Sequence, residues 1–366
     1  MGIFNKLNTA EPITRAAVAA AGQYRASENL IGNFISYQAS AERLRAIKVP
    51  TISRSRDLIC SMVACLTMSQ YTQQWNGDEL EEIAIPPDVW FNRPDPNTTR
   101  NFILSWTTDD LLFFGRAFWI ISERFGNGFP KAFQWMPASN VQTLDMAGPI
   151  WWGPSKQITW QGMPVDPRDV VQFISPIQSL LSMGDSAILT ALRLNRSAER
   201  FAVNEIPSGW LKQTGGEPMD PTALADLAAA WAEARQSNSI AALNEYVDWH
   251  ESGIDPSKLQ LTEARTFQSL ELARVANIPS YLVGAPTGGG MTYANAQQAR
   301  EDLYLFGAKP FIDCIEQTLS MDNVLPRGRF LKLDVKAYLD ENIMGTEAAR
   351  PVAPTASEPA SITIKD

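Results

Sequence analysis

Between Gly284 and Thr292 the chain reads GAPTGGGMT, a glycine-rich run ahead of a helical pattern. In a phosphate-binding loop the spacing GxxxxGK[ST] sets a lysine on the β- and γ-phosphates and a hydroxyl on magnesium. Here Met291 holds the lysine position and no hydrophobic strand precedes the first glycine, so nucleotide chemistry lacks its cation. Asp109 and Asp110 offer a carboxylate pair, and 11 tryptophans offer stacking surfaces for a sugar. Neighbouring helical residues diverge by about 100°, however, whereas glycosidase carboxylates face each other across a bond. Trp106, Trp119 and Trp135 lie inside apolar runs and read as core. His250, the single histidine, has no GxSxG nucleophile pattern nearby and reads as structural. Cys60, Cys65 and Cys314 are odd in number and lack Cys-x-x-Cys spacing, which fits a reducing compartment and core packing. The expectation is no catalytic, metal or cofactor site.

The elements around these residues follow from pattern. A chain of 366 residues with 45% hydrophobic content can bury a substantial core. Its net charge of −9 argues against a surface that holds nucleic acid tightly through many phosphate contacts. No run of about eighteen apolar residues exists, so no membrane partner is expected. The opening MGIFNK carries Lys6 where a myristoylation signal wants Ser or Thr. Residues 1–49 read as an Ala-rich arm. From Pro50, the residues Ile52, Ile59, Met62, Val63 and Leu66 fall at helical spacing, with Thr51 or Ser53 available as cap. After the acidic patch Asp78–Glu82 and a proline-rich turn, Thr98 or Thr99 can cap a helix that stops at Gly115.

Short runs then alternate with Gly, Pro and Asn: RAFWIISER, KAFQWM, VQTLD, QITW and DVVQFIS. They predict a small antiparallel meander, and helix followed by strands predicts an α+β class. Asp185 or Ser186 opens a helix ended by Pro207. A separate strand–helix–strand unit follows, its helix starting at Pro221 with Asp220 as cap. Leu261–Ile278 is helical, and a long helix from about Thr292 to Leu319 should kink at Pro310. Residues 345–366 have too little apolar content to fold. Arg193, Arg196 and Arg200 form a basic stripe, with Glu263 and Glu271 as plausible partners on the later helix.

The order of these motifs resembles the portal protein of tailed bacteriophages, in its compact siphophage branch. VPTISRSRDLICSMVACLTMSQY is similar to the family's early helix and strand. Asn92, Arg93, Pro94, Asn97, Thr98, Gly115, Trp119 and Pro137 match a helix–glycine–aromatic-strand signature. Pro279, Leu282, Gly284, Thr292, Tyr293, Asn295, Gln298 and Pro310 match its most specific region. Two departures stand out: MGDSAI replaces the usual Gly-x-Ser-Pro, and the C-terminal region is short.

The resemblance implies a portal fold with a wing at 50–184, stem helices at 185–205 and 261–278 and a clip at 206–260. It further implies a tunnel loop at 279–292, a wing spine with a short C-terminal region at 293–344, and a reduced or absent crown. Ala285, Pro286, Thr287, Gly288, Gly289, Gly290, Met291 and Thr292 would then face DNA. The stem residues Arg193, Arg196, Arg200, Glu263 and Glu271 would pair between subunits. Trp210, Lys212, Trp231, Tyr246 and Trp249 would dock partners on the clip. Family members form rings of about twelve subunits at one capsid vertex, made in the host cytoplasm and carried in the virion. Implied partners are double-stranded DNA, the terminase large subunit, the major capsid protein and a head-tail adaptor. A carbohydrate-active hydrolase and another head-tail ring adaptor are the competing readings.

Overall fold

The computed structural model describes residues 40–143, 153–203, 209–236, 246–251, 260–285 and 296–340. The arm before residue 40 and the tail after residue 340 lie outside the described residues. A short helix over residues 40–46 leads into α1 (Pro50–Cys65). Val49 is the N-cap, without a side-chain bond, so Thr51 and Ser53 do not cap as expected. The proline at the first turn is preset for helix and needs no donor there. Ile52, Ile59, Met62 and Val63 bury the inner face.

The chain next forms β1 (Met68–Trp75) and β2 (Leu80–Ile85), an antiparallel ribbon. The acidic patch is therefore partly strand. Asn76 Oδ1 accepts from the amides of Asp78 and Glu79, and Gly77 adopts φ +114°, which together set the turn. A late strand, β11 (Arg329–Leu333), covers the other edge of β1, and its pairing ends at Thr72 opposite Arg329.

Helix α2 (Arg100–Phe114) starts and stops where the sequence says. Thr99 Oγ1 accepts the Phe102 amide at 3.2 Å, and Gly115 ends it at φ +75°. The strands are β3 (Arg116–Arg124), β4 (Pro130–Met136), β5 (Val141–Thr143), β6 (Ile158–Trp160), β7 (Met163–Val165) and β8 (Val170–Ile174). They form two sheets, β4-β3-β8 and β5-β6-β7, rather than one meander. The reason is burial: Ala117, Phe118 and Trp119 of β3 are all enclosed, so that strand needs a neighbour on each side. Val171 of β8 and Trp135 of β4 both pair with Trp119.

Helix α3 (Leu180–Val203) follows, then β9 (Gly209–Gln213), α4 (Pro221–Gln236) and β10 (Val247–Glu251). Helix α5 (Leu261–Val275) leads to a 3-10 turn, Ser280–Val283. After residues 286–295, which lie outside the described set, come α6 (Ala296–Asp302), a π-helical stretch Leu303–Ala308 and α7 (Lys309–Leu319). Helix α8 (Val335–Asp340) follows β11. Trp90, Phe91, Phe113, Trp119, Phe133, Phe173 and Phe311 belong to one large core shared by helices and sheet, an α+β architecture. Cys60 and Cys314 are buried as expected, but Cys65 is exposed at the end of α1.

Candidate functional site

The residues that flank the glycine-rich segment form a clasped frame. Residues 286–292 lie outside the described residues, and Ala285 is the buried last residue on the approach. Its amide bonds the Ser280 carbonyl, while Gly284 turns the backbone at φ +73°. Tyr281 on the approach donates its hydroxyl to Asp302 Oδ2 on the return helix at 2.7 Å. Burial, then this bond to Asp302, pushes the Tyr281 phenol up to about 12.

A second clasp compensates the chemistry of proline. Pro310 has no amide hydrogen, so the Phe306 carbonyl, four residues earlier, loses its helical partner. Asn277 Nδ2 donates to that carbonyl at 2.7 Å. Asn277 sits just past α5 at φ +53°, a conformation that asparagine tolerates better than most residues. The expected long helix from Thr292 is thus corrected at its centre: the turn before Pro310 widens into π geometry. Gly307 lets this turn approach α1, since a Cβ there would stand 2.9 Å from Ile278 and 3.3 Å from Ile59.

The stem candidates occupy two packed helices. Helix α3 begins at Leu180, ahead of the expected Asp185, because Ser179 Oγ accepts the Ser182 amide at 3.3 Å. Gly184 therefore lies inside the helix, where a Cβ would meet Val275 of α5 at 2.8 Å. Gln268 of α5 donates to the Ala187 carbonyl of α3 at 2.9 Å and fixes the register of the pair. Arg193, Arg196 and Arg200 are exposed. Within one chain, and among the described residues, none pairs with Glu263 or Glu271; Glu271 binds Arg274 one turn on.

In the strand–helix–strand unit, β9 and β10 pair antiparallel with Trp210 opposite His250 and Lys212 opposite Asp248. The Trp210 and His250 rings stack at 5.7 Å, both exposed. Tyr246 packs over Gly215, where a Cβ would come within 2.8 Å of its ring. Trp231 is half-buried, and the Trp249 side chain lies outside what is described.

Asp109 and Asp110 are structural. Asp109, fully buried, accepts two bonds from Arg43 at 2.7 and 2.8 Å and one from Arg56 at 2.7 Å. Both guanidinium groups lie against the Trp106 ring. Asp110 Oδ2 accepts from Trp135 Nε1 and the Ala138 amide, and burial raises its carboxyl well above the usual carboxylate range. Neither faces a cleft, so the hydrolase reading loses its acids. Among the described residues no cluster suits a metal ion, and no helix is long and apolar enough to cross a membrane. The sequence reading missed Asn277, Tyr281 and Asp302. The asparagine just before Ile-Pro, a residue type that tolerates left-handed backbone, was the available signal.

The chain is similar to known proteins over most of its length. The family model described as phage portal protein matches residues 50–348. A probable portal protein of Streptomyces phage phiC31 is 22% identical over 324 residues, covering 79% of this chain and 67% of that protein. A crystal structure of an HK97-family phage portal protein from Corynebacterium diphtheriae superposes with TM-score 0.65 at 24% identity. It covers 81% of this chain and 96% of that one. The neck of a native gene transfer agent particle, computed with C12 symmetry, matches with TM-score 0.54 at 18% identity, over 80% and 81% of the two chains.

Proposed function

The chain belongs to the phage portal protein family, and on that premise we propose that about twelve copies close head-to-tail into a ring at one capsid vertex. Double-stranded DNA enters and leaves through the centre. Residues 285–292 act as the tunnel loop, α3 and α5 as the stem, and residues 206–260 as a clip. The clip docks the terminase large subunit during packaging and a head-tail adaptor afterwards, while the wing meets the major capsid protein. The ring performs no catalysis; ATP hydrolysis belongs to the terminase. It is built in the host cytoplasm and resides in the virion.

The observation that carries this reading is the clasped frame. The residues on either side of the glycine-rich segment are tied together by Tyr281–Asp302 and Asn277–Phe306, which suits a frame that must stay seated while DNA passes. A net charge of −9 also suits a conduit, because each neutralised phosphate would add a barrier to sliding. Head-to-tail contact gives Arg193, Arg196 and Arg200 access to Glu263 on a neighbour, a pairing not made among the described residues of one chain. The test is native mass with negative-stain images of purified protein and of head extracts. Closed rings of about a dozen subunits with a central hole are expected; monomer in both samples would overturn the reading.

A further inference from the structure

The ribbon of β1 and β2 outruns its support. Beyond Thr72, β11 no longer pairs with β1, so the ribbon continues as two strands. Trp75 and Leu80 lie opposite each other on one face, 60% and 58% exposed, and Ile83 on the other is 38% exposed. A two-stranded ribbon with apolar residues on both faces is marginal by itself and marks an interaction surface. It is also acidic: Asp78, Glu79, Glu81 and Glu82 fall between Gln73 and Ile83 with no cation among them. Glu82 binds Lys332, whereas Asp78, Glu79 and Glu81 meet no cation among the described residues.

A surface of opposite character lies elsewhere on the same chain. Leu44 is 57% exposed, flanked by exposed Arg45 and Lys48. Beside them a cleft of about 170 Å³ opens between α1 and the α3–α5 pair, lined by Val49, Thr51, Asn195, Arg265 and Gln268. That is comparable to a cavity of about 150 Å³ that admits a benzene ring. Arg45, Lys48 and Arg265 form no ion pair among the described residues. The patch is rigid, because Arg43 ties its helix to buried Asp109.

We infer that the β1–β2 ribbon of one copy seats its acidic, apolar end on the Leu44–Lys48 and Arg265 surface of the neighbouring copy. Trp75 is the side chain of a size to enter the cleft, and Asp78 and Glu79, in the turn beside it, face the cations. Ribbon against ribbon would set like charges together, so the contact is between unlike patches, as a closed ring requires. The inference rests on the ring reading above.

The test compares three full-length variants by native mass: Asp78→Lys with Glu79→Lys, Arg45→Glu with Lys48→Glu, and all four together. Each pair is expected to lower the closed-ring fraction by about tenfold or more, and the four together to recover it to within about threefold of the parent. Rings at the parental level in either pair, or no recovery in a four-fold variant with parental circular dichroism, overturns the inference. So do intact rings that fail to enter heads, which would assign the ribbon to the capsid protein. Absence of rings in the parent would instead strike the ring reading. As an independent check, Leu44→Cys with Leu80→Cys in a Cys65→Ser background should give a ladder of multimers with a short bis-maleimide. Monomer alone in assembled parental-type rings counts against it.

Discussion

Asp109→Asn and Asp110→Asn, one residue apart, are expected to behave very differently. Asp109 is fully buried, and the side chains of its partners Arg43 and Arg56 are only 16% and 18% exposed. An amide there leaves Arg43 without a counter-charge and Arg56 with the exposed Asp57 alone, and turns an NH₂ toward one of the two guanidinium groups. Breaking one side of a buried ion pair costs about 3–5 kcal/mol. For a chain of 366 residues each kcal/mol lowers Tm by about 1–2 °C, giving a loss of about 3–10 °C. Asp110 differs because its Oδ2 already accepts both available N–H groups, a role that an amide oxygen can fill. Its replacement should cost under about 1 kcal/mol, or under about 2 °C. The pH dependence has a definite sign. The folded carboxyl of Asp110 lies above its unfolded value, so the parent loses stability as pH rises from the ordinary carboxylate range through the folded value. Asp110→Asn lacks that loss and should gain on the parent across the same interval. Thermal unfolding by circular dichroism at one fixed protein concentration reads both. Equal shifts for the two variants would refute the reasoning.

Gly307→Ala should lower Tm by the equivalent of about 1–3 kcal/mol, because its Cβ has no room against Ile278 and Ile59. Tyr281→Phe should speed proteolysis within residues 286–295 at neutral pH. That difference from the parent should fade between about pH 10 and 12, as Tyr281 ionises in the folded parent and the clasp to Asp302 is lost there too; a difference that persists at pH 12 would separate the loop from the clasp. Gly288→Pro with Gly289→Pro should leave rings intact and reduce the yield of genome-filled particles. Deleting residues 209–255 should abolish terminase capture in a pull-down, and unchanged capture would remove the clip assignment.

What was legible in the sequence was what short-range chemistry dictates. Thr99 and Gly115 bracket α2 because a hydroxyl cap and a left-handed stop act within one turn. Pro221 starts α4 for the same kind of reason. Contacts distant in sequence were not legible. Arg43 meets Asp109 across 66 residues, and nothing in the Ala-rich arm marks Arg43 as an anchor. Strand β2 hid in an acidic patch because both its faces are exposed, which erases the alternation that signals a strand. The start of α3 was placed late because Asp185 and Ser186 have the side chains of opening residues, whereas Gly184 before them already lies in the helix and serves the contact with Val275. At the candidate site Pro310 announced a disturbance, but its form depended on Asn277, supplied by a different helix.

The widened turn at Leu303–Ala308 has a bearing on phase. A π turn accommodates one residue more than an α turn, so everything on its far side is set back by one helical step, about 100° and 1.5 Å. The half of the helix next to the glycine-rich segment and the half in the core therefore follow separate angular clocks. Phe311, Ile312 and Ile315 can stay locked to the core while residues 297–302 present whichever face the segment beyond them requires. A hydrophobic repeat counted straight through the helix would aim its first two turns at the wrong neighbour, and the phase slip is what aims them correctly.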